Sequence, residues 1–241
     1  MALHRKLGAL AELNADIAIL PEIARPDIVA RKAPEFVADQ CVWDGNNHHK
    51  GLGIWANCAR WKLQLDESYD PVNGIVIPVR VSGPVHFNLM AVWSLHVDGK
   101  KATSNAPGAV IRALQTSSDF CRDSPLVVAG DFNNSAVWDR PGNMNNMIAI
   151  DELLKDYGLV SAYHIAYSAQ FGSEPDPTLY WRDRKKDGYR YHIDYVYVPE
   201  AWVKGHFSVT VGRFEDWVGN GRSDHVPLVA EFPLESVTNA S

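Results

Sequence analysis

Leu126-Val127-Val128-Ala129-Gly130-Asp131-Phe132-Asn133 is a short apolar run that stops abruptly at a glycine, an acid and an amide. A continuous apolar run of this length reads as a buried strand. Its C-terminal end therefore carries two residues with chemistry, Asp131 and Asn133. The same arrangement recurs along the chain. Ile17-Ala18-Ile19-Leu20 is too brief for a helix, is stopped by Pro21, and delivers Glu22. The run through Ala91-Val92-Trp93-Ser94-Leu95 ends at His96, Asp194 lies within His192 to Val198 (HIDYVYV), and Asp224 with His225 stands just before Val226 to Phe232 (VPLVAEF). Strand ends from distant parts of a chain can converge at one edge of a sheet. Carboxylates, imidazoles and an amide gathered there suit a hard cation and a phosphate.

Around these runs the pattern alternates between strands and helices. Leu3, Leu7, Leu10 and Leu13 share one face of an opening amphipathic helix. Strands are expected over 51–57, 74–81 and 85–95, the last two forming a hairpin through Ser82-Gly83-Pro84. A helix is expected from Ala109 to Cys121, and a second uses Met147, Ile150, Leu154 and Tyr157, with Gly158 as its C-terminal cap. Further strands are expected at 192–198, 207–211 and 226–232. Such an α/β mixture with hairpins points to packed sheets covered by helices rather than one parallel sheet.

The chain has 241 residues, 46% of them hydrophobic, enough for a substantial core. No linker or repeat divides it, so one domain is expected over 1–234, followed by a loose polar tail, 235–241. The formal net charge of −6 disfavours bulk electrostatic capture of long nucleic acid, yet leaves room for local cations and a metal ion at phosphate. Cys41, Cys58 and Cys121 are odd in number and lack metal-site spacing, which suggests free thiols. No stretch has a signal-peptide pattern, transmembrane length or a lipid-anchor motif, so a cytoplasmic protein without membrane contact is expected. Oligomeric state is not readable from these features.

The ordered set of PEI with Glu22, WSLH with His96, GDFN with Asp131 and Asn133, HIDY with Asp194, and SDH with Asp224 and His225 resembles the endonuclease/exonuclease/phosphatase superfamily. The resemblance spans nearly the whole chain. It implies a four-layered α/β/β/α sandwich of the DNase I-like type and a divalent-metal-dependent phosphodiester hydrolase, with nuclease action on DNA or RNA as the leading expectation. Mg²⁺ or Mn²⁺ is the implied cofactor. Glu22 is implied as the principal metal ligand, with Asp224 beside it. Asp131 would activate water, Asn133 would bond phosphate or nucleophile, and His225, oriented by Asp194, would face the phosphate oxygens together with His96. Members of the superfamily begin with a strand ending in an asparagine that helps build the metal site. Here the first helix opens at Met1; a start codon placed too far downstream is the first expectation, ahead of a trimmed chain or a protein natively short of one core strand.

For substrate, Tyr180 and Trp181 adjoin the basic stretch through Arg190 (WRDRKKDGYR), so Trp181 and Arg182 are candidate contacts, although a solvated hairpin tip accounts for the stretch equally well. Trp138 and Arg140, just beyond GDFN, form a second candidate pair. Asn46 to Lys50 could line the same cleft. The alternatives are a phosphomonoesterase acting on a small phosphorylated compound and a non-catalytic binding module that keeps the fold.

Overall fold

The computed structural model describes residues 3–36, 40–56, 59–71, 75–94, 106–182 and 184–238. After a 3-10 turn at Leu3–Arg5, the chain forms α1 (Leu7–Glu12), β1 (Ile17–Ile23), α2 (Pro26–Lys32), and a hairpin of β2 (Cys41–Asn47) and β3 (Lys50–Ala56). Next come β4 (Lys62–Leu65), β5 (Ile75–Ser82), β6 (Phe87–Trp93), α3 (Ala109–Thr116), β7 (Leu126–Asp131) and α4 (Met147–Asp156). The remainder is β8 (Leu159–Ser161), α5 (Ala162–Tyr167), β9 (Leu179–Tyr180), β10 (Arg190–Tyr191), β11 (Asp194–Pro199), β12 (Ser208–Val211), α6 (Phe214–Trp217), β13 (Leu228–Glu231) and α7 (Leu234–Thr238).

A six-stranded sheet, β4-β5-β6-β7-β11-β8, is the centre of the molecule. Its faces are assigned by simple alternation. In β7, Val127 and Ala129 join one apolar cluster, whereas Leu126 and Val128 join another. The first cluster is the layer between sheets: it also takes Leu52 and Ile54 of β3, with Ile17 and Ile19 of β1 and Leu228 and Ala230 of β13 packed against it. The second joins the sheet to α3 and α4 through Leu114, Met147 and Leu154, all with no exposed surface. A third cluster places Leu3, Leu7, Val29 and Phe36 against Leu20 and Ile23, on the outer face of β1. Helices, two opposed sheet layers and helices again make four layers, as the sequence led us to expect.

Several boundaries differ from the sequence expectation. β1 continues through Pro21 to Ile23 instead of stopping at the proline. Proline lacks a donor but is tolerated on an edge strand, and among the described residues β1 pairs only with β3, Pro21 facing Leu52. α3 ends at Thr116, five residues short of Cys121, though Phe120 and Cys121 stay buried. β11 begins at Asp194; His192 precedes it, buried, with Nδ1 2.7 Å from the Asp176 carbonyl oxygen. The polar end expected to be loose from Glu235 instead carries α7, held because Val237 is buried in the inter-sheet core. Strands β2, β4 and β8 and helices α2 and α5 carried no expectation. Residues 95–105, which include His96, lie outside the described residues.

Candidate active site

β6 and β7 run parallel, and β7 pairs antiparallel with β11. In that register Asp194 is the direct partner of Asp131, so two acids from segments far apart in sequence meet at one sheet edge. Gly130 makes the approach possible. Its φ is +134°, and a Cβ there would lie 2.1 Å from the Val92 carbonyl oxygen, so the GDFN glycine is required by backbone contact. Asn133 has φ 48°, the left-handed region asparagine tolerates better than most residues. It folds back on Asp131, its backbone N–H donating to Oδ1 at 2.8 Å and its amide to Oδ2 at 3.0 Å.

His225 faces the same pair. Its Nδ1 lies 2.9 Å from Asp194 Oδ2. Asp131, Asp194 and His225 offer donor atoms all within 4.8 Å of one another. The chain around them is stitched together by residues 178–180: Leu179 bridges to His225, Tyr180 N donates to the Asp224 carbonyl, and Val226 N donates to the Thr178 carbonyl. Thr178, fully buried, also accepts the backbone N–H groups of Ile193 and Asp194 at 3.1 Å on its hydroxyl oxygen. Thr178 thereby fixes the start of β11. No sequence signal marked it, since an isolated threonine in a loop carries no pattern.

The electrostatics follow from crowding. Burial is the main cause that pushes the Asp131 carboxyl up to about 7, aided by the Asp194 and Glu22 charges and opposed by His225 and the Asn133 backbone N–H. For His225, burial acts downward, but the Asp194 carboxylate and its hydrogen bond, with Asp131 and Asp224, outweigh it and raise the imidazole to about 9. At neutral pH the imidazole is thus a cation able to donate from both ring nitrogens.

Glu22 and Asp224 stand beside this cluster rather than within it. Glu22 sits at an irregularity of β1 between Pro21 and Ile23, with φ 62°, and its carboxylate is 2.9 Å from Lys50 Nζ at the β2–β3 hairpin. That ammonium also lies 5.5 Å from the centroid of the Trp93 ring. Asp224 is 3.3 Å from Arg184. Lys6 feels the charges of Asp224, Glu22 and Arg184, while burial lowers its pKa. Glu22 and Asp224 are both part-exposed and each is paired with a cation, while the donors that lie close enough to share one ion are two carboxylates and an imidazole, a set without thiols. Of the substrate candidates, Trp138 packs on Tyr191 with centroids 4.6 Å apart, Arg182 lies over Trp181 at 4.2 Å, and Arg140 is exposed. Tyr191, which the sequence reading passed over, joins the two groups.

The layered sheets and the strand-end cluster define a class of fold, the DNase I-like α/β/β/α sandwich, which solved structures share. Three solved structures illustrate the likeness. One is the 3′ phosphatase NExo from Neisseria bound to a product DNA hairpin, 20% identical over 96% of each chain, TM-score 0.62. Another is the endonuclease domain of TRAS1, a telomere-specific non-LTR retrotransposon, 15% identical over 96% of this chain and 91% of that one, TM-score 0.60. The third is D. rerio TDP2 complexed with a single-strand DNA product, 16% identical over 96% and 92%, TM-score 0.58. The sequence matches no protein-family model and no curated protein. Among the described residues no helix is long and apolar enough to cross a membrane.

Proposed function

We propose that this protein is a divalent-metal-dependent hydrolase of phosphoric esters in nucleic acid, most simply a nuclease. One observation carries the reading: at the end of a central sheet, buried Asp131, oriented by Asn133, lies with Asp194 and the Asp194-bonded His225 in one cluster of donor atoms, and crowding raises both the Asp131 carboxyl and the His225 imidazole. A general base works best when its pKa lies near the operating pH. Asp131 as carboxylate takes a proton from water as that oxygen bonds phosphorus. The ester P–O bond breaks on the opposite side, and the departing oxygen leaves with a proton from solvent. His225 donates to a non-bridging oxygen where negative charge builds, and Asp194 holds the ring in place. Asn133 keeps the Asp131 carboxylate in one orientation. Glu22 and Asp224 would hold the metal, Mg²⁺ or Mn²⁺, which supplies charge neutralisation at the phosphate. Binding it requires Lys50 and Arg184 to release these carboxylates. Trp138, Arg140, Trp181 and Arg182 would contact the rest of the substrate, and His96 is retained as a second phosphate-facing imidazole on sequence grounds alone.

The NExo likeness keeps a phosphomonoester at a nucleic-acid 3′ end as the second reading. Free Cys41 and Cys121 are compatible with a reducing, cytoplasmic setting. The test is cleavage of single- and double-stranded DNA, RNA, a 3′-phosphorylated strand and a chromogenic phosphate diester, with Mg²⁺, Mn²⁺ or EDTA. Turnover is expected to need metal and to fall about 10²- to 10⁴-fold in Asp131→Ala. Turnover unchanged by that substitution would sink the assignment.

A further inference from the structure

We propose that Trp138, Tyr191, Trp181 and Tyr189 form one stacking surface for unpaired nucleobases, so that the site acts on single-stranded or frayed nucleic acid rather than on closed duplex. This rests on the nucleic-acid reading above and gives it a substrate class. The rings touch in sequence across two separate segments. Trp138, five residues beyond Asn133, meets Tyr191 at 4.6 Å; Tyr191 meets Trp181 at 6.3 Å; Trp181 meets Tyr189 at 6.5 Å. Three of the four are open to solvent, Trp138 by 40%, Trp181 by 44% and Tyr189 by 62%. Arg182 lies on one face of the Trp181 ring at 4.2 Å, a cation–π contact that holds the indole and leaves its other face for a base.

The surface is continuous with the chemistry. β9 and β10 form the hairpin that carries Trp181 and Tyr189, paired by Trp181 N donating to the Tyr189 carbonyl, and Tyr180 N bonds the Asp224 backbone. Tyr191 stands three residues before Asp194. On this proposal a strand with its phosphate at the Asp131–His225 end of the sheet lays its flanking nucleotides on these rings.

The charges favour bases over a duplex backbone. Within the hairpin Lys186 is paired with Glu215, and the Arg190 guanidinium is turned onto the Lys186 carbonyl, so part of its positive side is held within the protein. The protein as a whole carries −6. Phosphate neutralisation, the main grip on a duplex, is correspondingly weak. Stacking needs no net charge, and a duplex hides its base faces from side chains, whereas an unpaired strand presents them.

The test measures binding without turnover, in the Asp131→Asn protein. Anisotropy is read for labelled strands of about 12 nucleotides in three forms: thymine-bearing, base-free sugar-phosphate, and blunt duplex. The thymine strand is expected to bind at least about tenfold more tightly than the other two, and Trp138→Ala and Trp181→Ala each to remove about fivefold or more of that advantage. Trp181→Phe should restore it, which separates stacking from a general loss of structure. Equal affinity for base-bearing and base-free strands overturns the proposal even if the unsubstituted protein cleaves nucleic acid. A protein that shows the preference but never hydrolyses any substrate would instead overturn the enzymatic reading and leave the stacking surface standing.

Discussion

At the residue scale, the site is a set of displaced proton affinities. In the proposed mechanism Asp131, raised to about 7, works only after losing its proton, and His225, raised to about 9, only while keeping one. The pH profile of kcat/KM should therefore rise through about 7, hold, and fall through about 9, with His225→Gln removing the alkaline fall and lowering turnover about 10²- to 10³-fold. A profile flat across that range would contradict the assigned roles. Gly130 gives a second prediction. With the Val92 carbonyl 2.1 Å from where a methyl would stand, Gly130→Ala must push β7 away from β6. We expect a loss of about 1–3 kcal/mol in denaturant unfolding and a larger loss of activity, because Asp131 is the next residue. That glycine, like the acid that follows it, was legible in GDFN. Lys50 on Glu22 was not, because an ion pair between a hairpin tip and a strand irregularity depends on a register that residue types alone do not fix.

At the element scale, the buried strands and the two longer helices were readable from apolar runs and spacing, and they hold most of the core. α3 turns Ala113 and Leu114 into the layer under the central sheet, and Leu114 has no exposed surface. Leu114→Ala should cost about 2–5 kcal/mol, seen as a lower urea midpoint at unchanged slope; a smaller effect would mean that the helix packs loosely. The two-residue strands β9 and β10 were not readable. Elements so short have no periodicity, and the charged WRDRKKDGYR stretch looked equally like a solvated tip. Tyr189 and Tyr191 were missed for that reason, since the pairing of Tyr189 with Trp181 depends on the hairpin's closure, and that of Tyr191 with Trp138 on where the hairpin folds relative to a loop much earlier in the chain. The extension of β1 through Pro21 was hidden because edge position, which makes the proline acceptable, is a property of the sheet.

At the scale of the whole molecule, the same displaced groups set stability against pH. A histidine whose pKa is raised on folding contributes stability that is fully present below its unfolded value near 6.5 and lost as pH climbs through about 9. A carboxyl raised on folding acts in the same sense: the native state binds the proton more tightly, so stability falls as pH goes from about 4 to about 7. Both slopes point downward. In EDTA, thermal midpoints should decline across about pH 4 to 9 from these two groups, and Asp131→Asn should flatten the lower half of that decline. A midpoint in the variant that still drops as steeply between pH 4 and 7 would place the cause elsewhere.

The pairing of β7 with β11 has a consequence in time. Asp131 and Asp194 face each other only when that antiparallel ladder closes, and His225 arrives later still in the chain. Contacts between such distant segments form slowly, because the loop between them must be ordered before the ladder offsets the lost freedom. A chain emerging from the ribosome thus carries each acid and the imidazole as separate, inert side chains for most of its synthesis. The proposed active site is therefore assembled in a single late event, and no shorter intermediate in which those strands remain apart can possess it.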